Sequence, residues 1–397
     1  MEILPTLKLG KDQERRLLAG HTWIYSNEVD NLETPLKSFS AGQQATVVSQ
    51  RGRWIGNAYV NPHALICARL FVTNVKRSLD EELLTERIEQ ALRLRQRLYA
   101  GDCYRLVYGE SDFLPGLVVD RYGDYLVAQI TTAGMEAVRG QIVAVLDKLL
   151  SPRGILLRND TPMRLLEGLA SEVSVAGGEI PPLVQLQEGE SRFEISLLEG
   201  QKTGWFYDQA ANRGQMQRYI RTGDSVLDIC SYVGAWGIRA AKAGAAAVVC
   251  VDSSSSALQQ VEHNAALNNV AERITTMKND AFERLKKFAK RRQLFDVVVL
   301  DPPAFIKRKK DLREGMQAYR RLNALGLEVL KPGGMLITSS CSYHMAQSQL
   351  LNVVRQGAVK HNSSLQLLQY GQQGADHPVH PAIPETAYLK TLFLHKV

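Results

Sequence analysis

Asp301-Pro302-Pro303-Ala304-Phe305 and Ser340-Cys341-Ser342 are two segments whose residue types could carry a reaction. Each follows a run of β-formers, Phe295–Leu300 and 335–339, and a helix-length stretch over 318–330 closes between them on Lys331-Pro332-Gly333-Gly334. Strand, helix, strand predicts a parallel βαβ unit with a right-handed crossover and strands side by side or nearly so. Both segments then emerge at the carboxyl edge of one sheet, where open α/β folds bind their ligands. A carboxylate and a thiol facing one crevice can hold a base and attack it.

The binding half of such a site lies upstream. Ser225–Ile229 reads as a buried strand carrying Asp228, and Cys230-Ser231-Tyr232-Val233-Gly234-Ala235-Trp236-Gly237 leads from it into a helix over 238–243. A second strand, 247–251, ends on Asp252 and Ser253, just over twenty residues after Asp228. In nucleotide-type folds glycine lets the backbone approach the ligand, and the second acid reaches two ribose hydroxyls. The third glycine of a dinucleotide fingerprint is missing, which favours a nucleoside without phosphates. A strand over 274–278 ends in Asn279-Asp280-Ala281-Phe282, where an acid can accept from an adenine amino group and a ring can cover the base. S-adenosylmethionine satisfies these contacts together, with Asp228, Ser231, Gly234, Asp252, Ser253, Asn279, Asp280, Ala281 and Asp301 as candidate contacts. Taken singly, Asp228 or Asp252 reads as a helix N-cap; four acidic strand ends in order argue against that coincidence.

From about Gly200 onward the chain resembles class I S-adenosylmethionine-dependent methyltransferases. Over nearly its full length it is similar to the bacterial large-subunit ribosomal RNA 5-methylcytosine methyltransferases with an N-terminal PUA domain. The resemblance rests on Lys202-Thr203-Gly204-Trp205-Phe206-Tyr207-Asp208-Gln209, Asp301-Pro302-Pro303, Ser340-Cys341-Ser342 and the opening Leu17-Leu18-Ala19-Gly20-His21-Thr22-Trp23-Ile24-Tyr25. It implies that Cys341 is a nucleophile, that Ser340 and Ser342 donate hydrogen bonds to its thiolate, and that Asp301 holds the cytosine ring nitrogen or amino group. Carbon 5 of cytosine is too weak a nucleophile to take a sulfonium methyl directly, and a thiolate adding at carbon 6 activates it, splitting one hard step into easier ones. Related enzymes place a second cysteine after the proline pair for product release; here that position is Ala304. An RNA amino-methyltransferase acting on adenine or guanine without a thiol is the competing enzyme reading, weakened by Ala304 where an aromatic is expected. A catalytically idle RNA-binding or assembly protein is the competing non-enzyme reading, and the joint presence of Asp228, Asp252, Asp301 and Cys341 speaks against it.

The elements that must position these residues suggest an α/β chain in three parts. Residues 1–75 read as a small β-barrel resembling a PUA domain, with a short helix at 13–19 and strands at 44–49, Trp54–Val60 and 65–72. Residues 76–183 read as a small auxiliary α/β domain led by an amphipathic helix over 80–99, with Leu83, Leu84, Ile88, Leu92 and Leu98 on one face and Arg87, Arg93, Arg95 and Arg97 on the other. Residues 184–397 read as a β-hairpin followed by a Rossmann-like methyltransferase domain, closing with strands at 365–370 and 388–395. The formal charge of +7 in 397 residues favours a polyanionic partner, here ribosomal RNA. Arg16 and Arg69 are candidate phosphate contacts in the first part, where Trp23 and Tyr25 either stack on bases or are core. Lys307, Arg308 and Lys309, just past the Asp-Pro-Pro loop, are candidates beside the reaction site. Five cysteines without Cys-x-x-Cys spacing suggest neither a disulfide framework nor a metal site. No signal-peptide pattern and no membrane-length apolar run is read, so a cytoplasmic protein is expected. Oligomeric state is not read from the sequence, which leaves a homodimer open.

Overall fold

The computed structural model describes residues 4–397. The chain divides into two compact units, the first built from residues 1–184, 196–205 and 375–386 and the second from the rest.

The first unit holds two five-stranded sheets. In one, Thr6–Lys8, Gln43–Val48, Trp54–Val60, Ile66–Val72 and Trp23–Tyr25 lie in that spatial order around a core that includes Leu7, Leu9, Ile24, Val47 and Leu70. In the other, the order is Glu172–Gly178, Gly154–Asn159, Tyr125–Ile130, Leu117–Tyr122 and Cys103–Tyr108. The expected amphipathic helix spans Glu81–Leu98 and is capped by Asp80, whose Oδ1 accepts from Leu83 N at 2.9 Å. Its arginine face is not wholly solvated. Arg95 is fully buried, its Nη2 donating to Asp112 Oδ2 at 2.7 Å and its Nε to the Arg105 carbonyl at 2.9 Å.

Where a single domain over 184–397 was expected, segments 196–205 and 375–386 belong to the first unit. Buried side chains hold them there. Arg158 Nη1 donates to the Leu197 and Gly200 carbonyls at 2.7 and 3.0 Å, and Asp376 Oδ2 accepts from Arg105 N at 2.9 Å.

The second unit carries the sheet of interest: β1 (Ser225–Ile229), α1 (Ala235–Lys242), β2 (Ala247–Asp252), α2 (Ser255–Leu267), β3 (Ile274–Lys278), α3 (Ala281–Lys290), β4 (Phe295–Leu300), α4 (Leu312–Glu328), β5 (Leu330–Ser340), α5 (Gln347–Lys360), β6 (Leu365–Gln372) and β7 (Lys390–Lys396). The strand order is β3-β2-β1-β4-β5-β7-β6. The first five strands are parallel, and β7 pairs antiparallel with both β5 and β6. Strand β4 is almost wholly buried and reads Val-Val-Val-Leu at its end, as expected of a parallel strand covered on both faces. Lys331-Pro332-Gly333-Gly334 does not close a helix as expected. It bulges out of β5, which pairs Leu330 with Phe295 and resumes with Met335 opposite Val297. Gly333 takes φ +77° in this excursion, a conformation that L side chains rarely adopt.

The hairpin of Val184–Glu188 and Ser191–Ile195 ends its first strand on Glu188, a buried carboxylate facing two arginines of the second unit. Arg213 Nε donates to Glu188 Oε1 at 2.7 Å and Arg239 Nη1 to the same oxygen at 2.6 Å. Burial by itself would raise the carboxyl pKa, but the two guanidiniums outweigh it and hold Glu188 below its ordinary value. Glu188→Ala leaves two buried guanidiniums short of their partner and should destabilise the second unit by about 3–5 kcal/mol, measured by urea unfolding at neutral pH. Because the folded pKa is depressed, the carboxylate's contribution is present above the ordinary Glu range and is lost as pH falls through the folded pKa. The gap between wild type and variant should therefore narrow in acid.

Candidate active site

Asp228 sits one residue from the end of β1, opposite Cys250 of β2, and is fully buried. Its Oδ2 accepts from Gly237 N at 3.0 Å, while among the described residues Oδ1 has no partner. The chain then turns sharply, with Cys230, Tyr232 and Gly234 at φ +64°, +49° and +87°. Left-handed backbone at two non-glycine residues costs of order 1–3 kcal/mol each and persists only where neighbours enforce it. Asp252 is the enforcer: Oδ2 accepts from Tyr232 N and Oδ1 from Ser254 N, both at 2.9 Å. Gly234 is needed for space as well as φ, since a Cβ there would lie 3.0 Å from Val261 Cγ1. Inside this loop the Ser231 hydroxyl is buried and, like Asp228 Oδ1, meets no partner among the described residues. Two orphaned polar groups at a strand-to-helix turn fit a polar ligand lying over the turn.

The ends of β2 and β3 are drawn together by Asn279 N donating to the Asp252 carbonyl at 3.0 Å. Asp280 is exposed and caps α3, its Oδ1 accepting from Phe282 N and Glu283 N at 2.9 and 3.1 Å. Ser253 is exposed, whereas Asn279 and Ala281 are half-buried. The Phe282 ring lies 6.1 Å from that of Phe305, so an aromatic edge joins this end of the sheet to the Asp-Pro-Pro loop.

Asp301 follows β4 directly. Gln209 Nε2 donates to its Oδ1 at 2.8 Å and Trp236 Nε1 to its Oδ2 at 2.9 Å. Gln209 is itself held by Asn212, whose Nδ2 donates to Gln209 Oε1 at 2.7 Å. Burial of the carboxyl pushes the Asp301 pKa up, against the two N–H donors and with the charge of nearby Asp208. Past Asp301 the loop is tied to the thiol segment. Ile306 N donates to Ser342 Oγ at 3.1 Å, Tyr319 of α4 shares a 3.0 Å hydrogen bond with the same oxygen, and the Phe305 and Tyr319 rings lie 4.7 Å apart. Cys341 is the first residue beyond β5 and is partly exposed. Ser342 Oγ goes to Ile306 and Tyr319, and Ser340 Oγ accepts from Ser342 N at 3.2 Å, so both brace the turn. Lys390, at the start of β7, donates from Nζ to the Ser342 carbonyl at 2.7 Å, and both it and Tyr319 lie within the influence of the Cys341 charge.

Comparison with known proteins places this arrangement. The PUA-like domain family matches residues 7–73, and the family described as Conserved hypothetical protein 95 matches residues 211–364. Ribosomal RNA large subunit methyltransferase I of Tolumonas auensis is 35% identical over 99% of this chain and 99% of its own. The protein of that name from Cronobacter sakazakii is 33% identical over 98% of each. This chain belongs to the ribosomal RNA large subunit methyltransferase I family. In fold, this family member resembles SMU.776, crystallised with SAH, at a TM-score of 0.85 over 99% of this chain and 100% of that one, with 22% sequence identity.

Among the cysteines of this family member, three are held as thiols by their surroundings. Burial pushes Cys67 up to about 12 and raises Cys250 well above the ordinary range. Cys230 is raised by burial and by the charges of Asp252, Asp301, Asp228 and Asp280. Among the described residues no group of three or more His, Cys, Asp or Glu side chains is placed to hold a metal ion, and no helix is long and apolar enough to cross a membrane.

One of the expected RNA contacts must be corrected. Arg69 is buried, its Nη1 donating to Glu167 Oε1 at 2.7 Å, and so offers no cation to a phosphate. Arg16 is about two-thirds enclosed: Nη2 donates to Glu28 Oε1 at 2.9 Å and to the Trp23 carbonyl at 3.0 Å, with the guanidinium over the Tyr25 ring. Trp23 is half-buried and donates to Glu110 Oε1 at 2.8 Å. By contrast, Lys307, Arg308 and Lys309 are exposed directly after Ile306.

Burial, then the charges of Asp301 and Asp252, raise the Asp228 carboxyl to about 8. A carboxyl whose folded pKa lies above its unfolded value favours the fold fully below the unfolded pKa and loses that contribution as pH rises through the folded one. Asp228→Asn removes the titration while keeping the shape. Its melting temperature relative to wild type should therefore rise between about pH 4 and pH 8, and a constant difference across that range by differential scanning calorimetry would refute the assignment.

Proposed function

We propose that this chain methylates carbon 5 of a cytosine in large-subunit ribosomal RNA, using S-adenosylmethionine and a transient covalent bond between Cys341 and carbon 6. The observation that carries this reading is the tie between the Asp-Pro-Pro loop and the thiol segment, Ile306 N to Ser342 Oγ at 3.1 Å, which keeps Asp301 and Cys341 at one sheet edge.

S-adenosylmethionine would supply the electrophilic methyl group. In this reading Asp252, at the end of β2, accepts from the ribose hydroxyls, and Asp280 with Phe282, at the end of β3, meets the adenine. Asp228 Oδ1 and Ser231 Oγ would gain in the ligand the partners they lack. A cationic sulfonium and ammonium also suit a turn ringed by Asp228, Asp252 and Asp301, whose mutual repulsion is part of what raises Asp228.

For the nucleic acid, the Cys341 thiolate adds to carbon 6, and the ring electrons shift towards carbon 5 and the N3 edge. Asp301, with its pKa raised, can be protonated and donate to N3 as that charge grows. Carbon 5 then takes the methyl group. The carbon 5 proton then leaves to solvent and the N3 proton returns to Asp301; the electron pair left at carbon 5 expels the sulfur and restores the aromatic ring and the thiolate, so no oxidant or reductant is consumed. Lys307, Arg308 and Lys309 would hold the phosphates that flank an extruded base.

Above about pH 8, where the wild-type carboxyl is ionised, Asp228→Asn should weaken S-adenosylmethionine binding by about ten-fold or more in isothermal titration, the loss of a charge-assisted hydrogen bond. The decisive experiment incubates the protein and cofactor with large-subunit ribosomal RNA containing 5-fluorocytidine. Fluorine at carbon 5 cannot leave as a proton does, so wild type should form an adduct stable on a denaturing gel, and Cys341→Ala should form none. Methylation of unmodified RNA without any adduct would instead mean transfer to an exocyclic amine.

A further inference from the structure

Antiparallel pairing of β7 with β5 sets a lysine against the thiol segment. Lys390 stands opposite Ser340 in the register, and its Nζ donates to the Ser342 carbonyl at 2.7 Å. The side chain thus runs alongside Ser340-Cys341-Ser342 and is buried. Among the described residues no carboxylate lies within 4.0 Å of its ammonium to form an ion pair. An ammonium taken out of water without a counter-charge is costly, and it gives up its proton more readily unless negative charge lies nearby.

We propose that Lys390 is a positioning residue whose ammonium is the counter-charge that holds Cys341 as a thiolate. The inference rests on the reading of Cys341 as the nucleophile, and it identifies what activates that sulfur. Burial lowers the lysine pKa to about 8, and the one charge acting on it in the opposite direction is that of Cys341. From α4, Tyr319 also senses the thiol, but burial raises its phenol and keeps it neutral. From the loop after β4, Asp301 is occupied by Gln209 and Trp236. Cys230, surrounded by four aspartates at the other half of the edge, shows the opposite environment. Ionisation releases the thiol proton to solvent, the sulfur keeps the electron pair, and the lysine keeps its own proton. After elimination from the nucleic acid the same thiolate is regenerated.

The test is pulsed alkylation of the full-length protein with iodoacetamide across about pH 5 to pH 10, reading the Cys341 peptide by mass spectrometry, since the thiolate is the reactive form. Lys390→Met should slow alkylation at pH 7 by about ten-fold or more and move the midpoint up by about one pH unit or more, as loss of an adjacent opposite charge does. Lys390→Arg should keep the wild-type profile to within about three-fold, because it retains the charge. A folded Lys390→Met protein, verified by circular dichroism, with an unchanged profile would overturn the proposal. Should Lys390→Met not fold, trace acetylation of Lys390 gives the converse measurement. In Cys341→Ala the lysine should become deprotonated at lower pH than in wild type, and identical lysine titrations would sink the idea. Failure of the nucleophile reading is separable: an alkylation shift without a 5-fluorocytidine adduct upholds the ion pair and removes the covalent mechanism. An adduct with no alkylation shift does the reverse.

Discussion

The Asp301 carboxyl is where three stretches of the second unit meet. Gln209 reaches it from the segment ahead of β1, Trp236 from the first turn of α1, and the residue itself ends β4. Neutral N–H donors orient the carboxyl without supplying the positive charge that would pin it in the ionised form. Burial raises its pKa, against these two donors and the nearby charge of Arg213. A salt bridge at the same place would have held it as an anion. The geometry of the loop that follows, and with it the position of Ser342 beside Ile306, extends from this fixed point.

Charge is partitioned along the sheet edge. The turn after β1 and the ends of β2 and β4 gather aspartates, which suit a cationic ligand and suppress ionisation of Cys230. The ends of β5 and β7 set Lys390 against the Ser342 carbonyl, next to Cys341 in the chain. The two halves are separated by the Asp-Pro-Pro loop, so one edge carries two opposite electrostatic environments.

Arginine does a different task in the first unit. Arg69, Arg95 and Arg158 are buried and donate to carboxylates and carbonyls, so these three planar, multi-donor guanidiniums serve the core and are withheld from solvent. Exposed cations next to the site include Lys307, Arg308 and Lys309, on the loop between β4 and α4. Basic composition is therefore a coarse guide to where a polyanion would lie.

Asp228, Asp252 and Asp301 were legible as strand ends because apolar runs of β length and their order along the chain determine which residues reach the carboxyl edge of a parallel sheet. Cys341 was legible for the same reason, being one residue beyond a strand in a known position. Arg69, inside the apolar run Ile66–Val72, was misread because alternation along a strand does not reveal whether a carboxylate such as Glu167, far along the chain, waits on the buried face. Gln209 and Lys390 could not be assigned their partners in advance. Gln209 meets Asp301 across ninety-two positions, and Lys390 meets the Ser342 carbonyl across forty-eight. Local patterning determined the strands, the crossover helices and the edge at which the chemistry sits. Tertiary structure alone decided which side chains hold the carboxyl and which charge faces the thiol, because those contacts depend on the antiparallel register of β7 and the return path of the 206–212 segment, and neither is encoded in any short window of residues.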